Sequence, residues 1–139
     1  MSHQTILPEG WVRPKGYSNA ILAEGRTLFI AGLVGWDETE TFASDDFTEQ
    51  FTRTLKNIRA VLETAGAAPE HICRMTWYVT SKQQYLASLK GVGRAWRDIM
   101  GRTYPAMAVV EVTALMEDRA LVEIETTAVL PGEPDVARR

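Results

Sequence analysis

Two glutamates near the C-terminal end are the first residues of this chain whose type and spacing suit chemistry. Glu123 and Glu125 are two residues apart in an alternating apolar stretch, so on a strand their side chains share one face. A carboxylate held beside a bound substrate can act as a base that activates water. In an isolated chain, two solvated carboxylates on an exposed strand face are the simpler interpretation, because glutamate is seldom buried without a partner.

The cysteine and histidine side chains indicate no reactive centre. Cys73 alternates with Met75 and Trp77, which predicts a thiol packed as a small hydrophobe on an apolar strand face and not a nucleophile. His3 and His71 are far apart, and no Cys or His pair has zinc spacing. No glycine loop of the nucleotide-binding type follows a predicted strand. The sequence therefore predicts neither a metal site nor a cofactor.

Composition limits the classes of partner. The 139 residues carry a net charge of −3, and this acidic balance argues against an electrostatic grip on nucleic acid. A single cysteine excludes an internal disulfide and favours a reducing compartment. No apolar run is long enough to span a membrane, and the first residues lack the pattern of a secretory signal. We therefore expect one cytoplasmic domain, 1–139, with loose ends over the first ten residues and from Pro131 to Arg139.

Local patterns predict the elements that position these side chains. Residues 20–23 and 27–34 predict two strands around a glycine turn, and Gly32 and Gly35 predict a bulge or a close backbone approach. Helical spacing of apolar residues predicts a helix over 45–65, with Ser44 as its N-cap and Gly66 as its C-cap.

The second half of the chain continues the pattern. Alternation predicts a strand over 72–80. Ser81 and Gln84 predict a capping box at the start of one long helix, which Gly101 ends. The last two strands are predicted over 106–113 and 119–130. The order β-β-α-β-α-β-β predicts an α+β fold, a mixed β-sheet with two helices on one face, and the uncovered face of such a sheet favours oligomerisation.

Three separated segments resemble the Rid family, which is also called the YjgF/UK114 or L-PSP endoribonuclease family. They are Gly16-Tyr17-Ser18-Asn19-Ala20, Tyr104-Pro105-Ala106-Met107-Ala108-Val109-Val110-Glu111-Val112 and Val122-Glu123-Ile124-Glu125. The resemblance covers about residues 14 to 131. It implies a chorismate-mutase-like fold that assembles as a homotrimer. It also implies an enamine/imine deaminase that binds a small-molecule substrate between two subunits.

The resemblance implies a role for each residue that matches the family's pattern. Glu123 corresponds to the proposed water-activating carboxylate, and Tyr17 lines the pocket and hydrogen-bonds the substrate, so these two are the implied catalytic residues. The backbone at Gly32 borders the pocket. Backbone N–H groups around Ala108 and Val109 help to hold the substrate.

Met107 departs from the family's pattern, in which an arginine at this position holds the substrate carboxylate. A charge-assisted hydrogen bond contributes about 1.5–3 kcal/mol, so its loss weakens a carboxylate substrate by roughly one to two orders of magnitude. Methionine at the substrate-binding position suits an apolar group instead. Another cation could come from Arg74, Arg94, Arg97 or a neighbouring subunit.

Three functions follow from this comparison. The first is hydrolysis of a C=N bond in a substrate larger or more apolar than the usual small 2-imino acids. The second is a trimer that binds an apolar metabolite or a partner protein without catalysis, which the apolar residues Ala31, Leu33 and Met107 favour. The third, a ribonuclease, is disfavoured because the chain is acidic and has no catalytic histidine pair.

Overall fold

A computed structural model describes residues 3–132 of the chain. Six strands and three helices follow one another in these residues, with a 3-10 turn at Pro69–His71: β1 Gln4–Ile6, β2 Ala20–Leu22, β3 Arg26–Val34, α1 Phe47–Thr64, β4 Ile72–Val79, α2 Lys82–Ala87, α3 Leu89–Met100, β5 Ala106–Glu111 and β6 Val122–Leu130. Strands β3, β6, β4 and β5 form a mixed sheet in that order, in which only β4 and β5 are parallel. The predicted α+β class is confirmed.

Helix α1 forms the core against the sheet. Its residues Phe51, Leu55, Ile58 and Leu62 are fully buried, as their helical spacing predicts. Asp46, and not the predicted Ser44, is the N-cap, because its carboxylate accepts from the N–H of Glu49 at 3.0 Å.

Helix α1 ends one residue before the prediction, because Ala65 is the C-cap and the predicted Gly66 follows it. This glycine has φ +78°, and its N–H donates to the carbonyl of Glu63 at 3.1 Å. The N–H of Ala67 reaches back to the carbonyl of Leu62 at 2.8 Å. The two bonds form a Schellman motif, which requires a residue that tolerates the left-handed conformation.

The predicted second helix is two helices. Ser81 caps α2 as predicted, accepting from the N–H of Gln84 at 3.1 Å. The chain then leaves helical geometry at Ser88, whose hydroxyl donates to the carbonyl of Gln84 at 2.8 Å. A serine that bonds a carbonyl four residues back competes with the helical hydrogen bond there. Helix α3 ends before Gly101, which has φ +84°.

The N-terminal end differs from the expectation of a loose segment. Gln4–Ile6 forms a strand that pairs antiparallel with Ala20–Leu22, so β2 pairs with β1 and belongs to a separate two-stranded sheet. The first ten residues are therefore ordered in part by contacts distant in sequence. Of the C-terminal tail that we expect to be loose, residues 133–139 lie outside the described residues.

The two faces of the four-stranded sheet differ. Met75, Trp77, Val122 and Ile124 are buried on one face beneath the helices. The other face, which we call the open face, exposes Phe29 to 78%. No helix within 3–132 has the length and apolar character needed to cross a membrane.

The prediction that Cys73 shares the buried face of β4 with Met75 is wrong, because β4 has a bulge at Cys73. The register of β4 against β6 shifts between Ile72 and Arg74, so Ile72 and not Cys73 shares the buried face with Met75. The thiol is half-buried, and its Sγ lies 3.4 Å from the carbonyl oxygen of Thr127. Burial raises the pKa of Cys73, although a backbone hydrogen bond and Arg74 oppose the shift.

Candidate functional site

A cavity of about 490 Å³ lies at the edge of the sheet beneath the helices, and we call it the aromatic pocket. It brings together three of the six predicted site residues, Tyr17, Met107 and Val109. Its lining is formed by Lys15, Gly16, Tyr17, Trp77, Tyr85, Leu89, Val92, Gly93, Trp96, Arg97, Tyr104, Met107 and Val109. The site combines an N-terminal loop, two helices and the edge strand β5.

Tyr17 is held at the pocket by its neighbour Ser18. The buried Ser18 donates its N–H to the carbonyl of Pro105 at 2.9 Å, and its hydroxyl donates to the carbonyl of Tyr104 at 2.6 Å. These bonds fasten the loop to the start of β5, which carries Met107. Gly16 has φ +80°, a conformation that glycine adopts without a steric penalty.

Four aromatic rings form one continuous wall of the pocket. Trp77 lies edge-on to Tyr85 at 6.4 Å and tilted to Trp96 at 6.0 Å, and Trp96 stacks with Tyr104 at 6.2 Å. The indole N–H of Trp96 donates to the carbonyl of Thr103 at 3.1 Å, which fixes its ring. Burial raises the pKa of Tyr85. The helical spacing of Tyr85 and Trp96 predicts only core packing, so the sequence pattern does not reveal this wall.

The charged residues in the pocket lining are both cations. They are Lys15 and Arg97, and among the described residues no Asp or Glu lines the pocket. Of the three arginines that the sequence offers as an alternative cation, Arg97 is the one in this lining. Arg74 lines a different cavity, on the open face. Arg94 is exposed on α3 and does not line the aromatic pocket.

The other predicted site residues lie on the open face. Glu123 stands opposite Val34 on β3 and Tyr78 on β4. A Cβ atom built on Gly32 would lie 2.1 Å from Oε2 of Glu123, so the carboxylate occupies the space that the glycine leaves. The register shift between Ile30 and Leu33 confirms the bulge predicted near Gly32.

A second carboxylate lies on the same face as Glu123, as the spacing predicts. Glu125 accepts a hydrogen bond from the hydroxyl of Tyr78 at 2.5 Å. This bond, more than any other effect, raises the pKa of Tyr78, and desolvation and the charges of Glu125 and Glu123 act in the same direction. The carboxylate of Glu125 is therefore already hydrogen-bonded to the Tyr78 side chain.

Strand register separates the two groups within one chain. Met107 pairs with Met75 and Val109 pairs with Trp77, whose side chains are on the buried face. Ala108 pairs with Thr76 and thus points to the open face with Glu123, because successive strand residues alternate. In a single chain, the sheet lies between Met107 and the carboxylate of Glu123.

Comparison with known proteins identifies the family of this chain. A protein family described as endoribonuclease L-PSP matches residues 12–130. A RutC family protein of Pyrococcus abyssi is 32% identical over 92% of this chain and 98% of the relative. The 2-iminobutanoate/2-iminopropanoate deaminase of Salmonella typhimurium is 28% identical over 76% of this chain and 80% of the relative.

Solved structures lead to the same family. A protein of unknown function of the conserved Rid protein family from Yersinia pestis has a TM-score of 0.82 and 33% identity, over 94% of this chain and 100% of the other. A member of the YjgF/YER057c/UK114 family from Mycobacterium tuberculosis has a TM-score of 0.61 and 32% identity, over 83% of this chain and 87% of the other. This chain therefore belongs to the Rid family, also known as YjgF/UK114 or endoribonuclease L-PSP.

Proposed function

We propose that this protein hydrolyses an enamine or imine to a carbonyl compound and ammonia, in the cytoplasm, in a homotrimer whose active site is shared between copies. The observation that carries the proposal is the position of Glu123. Its carboxylate is half-buried against the backbone of Gly32 on the central strand β6 of the open face. The name of the Salmonella relative supports the reaction class.

The separation of the site residues supports a shared site. Tyr17 and Met107 belong to the aromatic pocket, whereas Glu123 projects from the opposite face of the same sheet. A neighbouring copy that presents its own pocket to this open face would place a substrate between Tyr17 of one chain and Glu123 of the other. The exposed Phe29 on that face adds apolar area that such packing would bury.

The reaction balances with these groups and water alone. An enamine first becomes the imine by gaining a proton on carbon from water and giving up a proton from nitrogen to water. Glu123 then accepts a proton from water as the water oxygen bonds to the C=N carbon. Glu123 returns that proton to the nitrogen, which gives a carbinolamine. Glu123 then carries the hydroxyl proton of the carbinolamine to the amino group, and the C–N bond breaks to release ammonia as the C=O bond forms. The phenol of Tyr17 and backbone N–H groups near Ala108 and Val109 hold the substrate.

An imine-trapping assay tests the proposal. An amino-acid oxidase supplies 2-imino acids, semicarbazide traps the surviving imine, and active protein lowers the trapped yield. Glu123→Gln keeps the shape and removes the base, so we expect turnover to fall by about 100- to 10,000-fold. Glu125→Gln is the matched control on the same strand face and should stay close to wild type. Equal activity of wild type and Glu123→Gln would refute the role of Glu123.

A second function rests on a different observation. The lining of the aromatic pocket is mostly apolar, and Met107 occupies the family's arginine position, which favours binding without catalysis. In that case wild type would not lower trapping of any imine, and Met107→Arg would not restore it. Calorimetry with an apolar ligand would still show saturable binding, which Tyr85→Ala would weaken by enlarging the pocket.

A further inference from the structure

We infer that Arg97 is the anion anchor of the aromatic pocket and that the preferred substrate is a 2-imino acid with an aromatic or large apolar side chain. The claim that the ligand is a substrate rests on the proposed function. The claim that Arg97 binds the anionic group of a ligand does not depend on it. It concerns a residue of helix α3 and not the position of Met107 on β5, where the resemblance implies an arginine.

The position of Arg97 is made possible by a glycine. Nη1 of Arg97 lies 3.3 Å from the point where a Cβ of residue 93 would be. Side chains of a helix lean toward its N-terminus, so Arg97 extends over the turn that carries Gly93. A longer side chain at 93 would occupy this path. Glycine there leaves room for the guanidinium in the lining.

The electrostatic surroundings leave this guanidinium available. The guanidinium of Arg97 makes no hydrogen bond or ion pair with another residue in the described part of the chain. Lys15 adds a second positive charge to the same lining, and no acidic residue of the range 3–132 lines the pocket. Two cations without a counter-charge favour an anionic group in the ligand.

The rest of the lining suits an aryl group. Tyr85, Tyr104, Met107 and Val109 are partly exposed in the pocket, and the rings of Trp77 and Trp96 lie almost buried behind them. Flat rings gain from stacked and edge contacts beyond the area they bury. A volume of about 490 Å³ is within the range of cavities that hold small molecules, roughly 300–1,000 Å³.

A ligand with both an anionic group and an aryl group would satisfy the two parts of the pocket, and a 2-imino acid with an aromatic side chain has both. Arg97 places a cation on the α3 side of the pocket, and Met107 on β5 provides apolar surface. The carboxylate then lies toward α3, and the side chain of the imino acid contacts the aromatic wall. Small imino acids lack the apolar part, so they use only half of this pocket.

Isothermal titration calorimetry with phenylpyruvate, the stable keto acid product of the phenylalanine imine, tests the binding part. We expect wild type to bind phenylpyruvate more tightly than pyruvate by roughly 10- to 100-fold, because the phenyl ring is buried. Arg97→Gln should weaken phenylpyruvate binding by about tenfold. This is the lower end of the range of affinity lost with a charged hydrogen bond, because the arginine is exposed and solvent weakens the interaction. Arg94→Gln, on the same helix but outside the lining, should leave binding unchanged.

An uncharged ligand separates loss of charge from damage to the pocket. Phenylacetone replaces the carboxylate of phenylpyruvate with a methyl group, so its affinity should be the same for wild type and Arg97→Gln. Arg97→Lys should recover part of the lost affinity for phenylpyruvate. Equal losses for both ligands, or no loss for either, would overturn the inference, as would failure of wild type to bind phenylpyruvate.

The trapping assay distinguishes this inference from the proposed function. Arginine-dependent binding of phenylpyruvate without imine hydrolysis would leave the anchor standing and reject the deaminase. Hydrolysis of the phenylalanine imine with the same KM in wild type and Arg97→Gln would keep the deaminase and reject the anchor.

Discussion

The close contact between Gly32 and Glu123 makes a quantitative prediction about the variant Gly32→Ala. A methyl group at position 32 would lie 2.1 Å from Oε2, 2.9 Å from Cδ and 3.1 Å from Cγ of Glu123. Ordinary contacts between such atoms are about 3.5–4.0 Å. Because the inner Cγ atom is also too close, rotation of the carboxylate alone cannot relieve the overlap, and the whole side chain must move.

Two opposing effects determine how much Gly32→Ala changes the free energy of unfolding. Replacing glycine by alanine within a strand stabilises by roughly 0.5–1 kcal/mol through the unfolded chain. Forcing a methyl group into occupied space costs typically 1–3 kcal/mol. Gly32→Ala should therefore leave the free energy of unfolding unchanged or lower it by up to about 2 kcal/mol. In a Glu123→Ala background the obstacle is gone, and the same change should stabilise by roughly 0.5–1 kcal/mol.

Urea denaturation of the four proteins of this cycle measures the coupling between the two positions. All four must be compared at one protein concentration, because association stabilises the folded state by mass action. We expect a coupling energy of about 1–3 kcal/mol. In the trapping assay, Gly32→Ala should also lower turnover, since the displaced carboxylate no longer holds water correctly. Equal effects of Gly32→Ala in the two backgrounds would refute the steric reasoning.

Two further predictions concern the helix start and the thiol. Asp46→Ala should lower the free energy of unfolding by about 1 kcal/mol. Ser44→Ala should cost less, because the Ser44 hydroxyl accepts from the N–H of Asp46, which precedes the helix, and the Ser44 carbonyl that accepts from Gln50 is kept. Denaturant midpoints that rank the two variants the other way would contradict the assigned cap. Since burial raises the pKa of Cys73, less thiolate is present at pH 8. Iodoacetamide should then alkylate the folded protein more slowly than the urea-unfolded chain, and equal rates would contradict the burial.

The arginine question shows how far a resemblance extends. The sequence identifies Met107 as a departure and offers three arginines as replacements. Only the packing of α3 against the sheet edge decides that Arg97 enters the lining. The positions of Arg94 and Arg97 on one helix are known from the sequence, but which of them meets the N-terminal loop depends on how that helix is docked.

The sequence by itself determined the elements whose signals are local. The apolar face of α1, the glycine that ends it and the cap at Ser81 are each encoded within a few residues, because helical and strand periodicities are properties of short segments. The shared face of Glu123 and Glu125 follows from the same local rules, and the structure confirms it. The predicted order of elements is correct from β2 onward except that the second helix is divided into α2 and α3, and strand β1 is not predicted.

Only the tertiary structure decided which separate segments meet. Gln4–Ile6 becomes a strand because Ala20–Leu22 pairs with it, and a three-residue strand has no periodicity to detect. The bulge at Cys73 and the placement of Glu123 and Met107 on opposite sides of the sheet both depend on strand register. Register is fixed by contacts between residues far apart in the chain, and a shift of one residue turns every side chain to the other face.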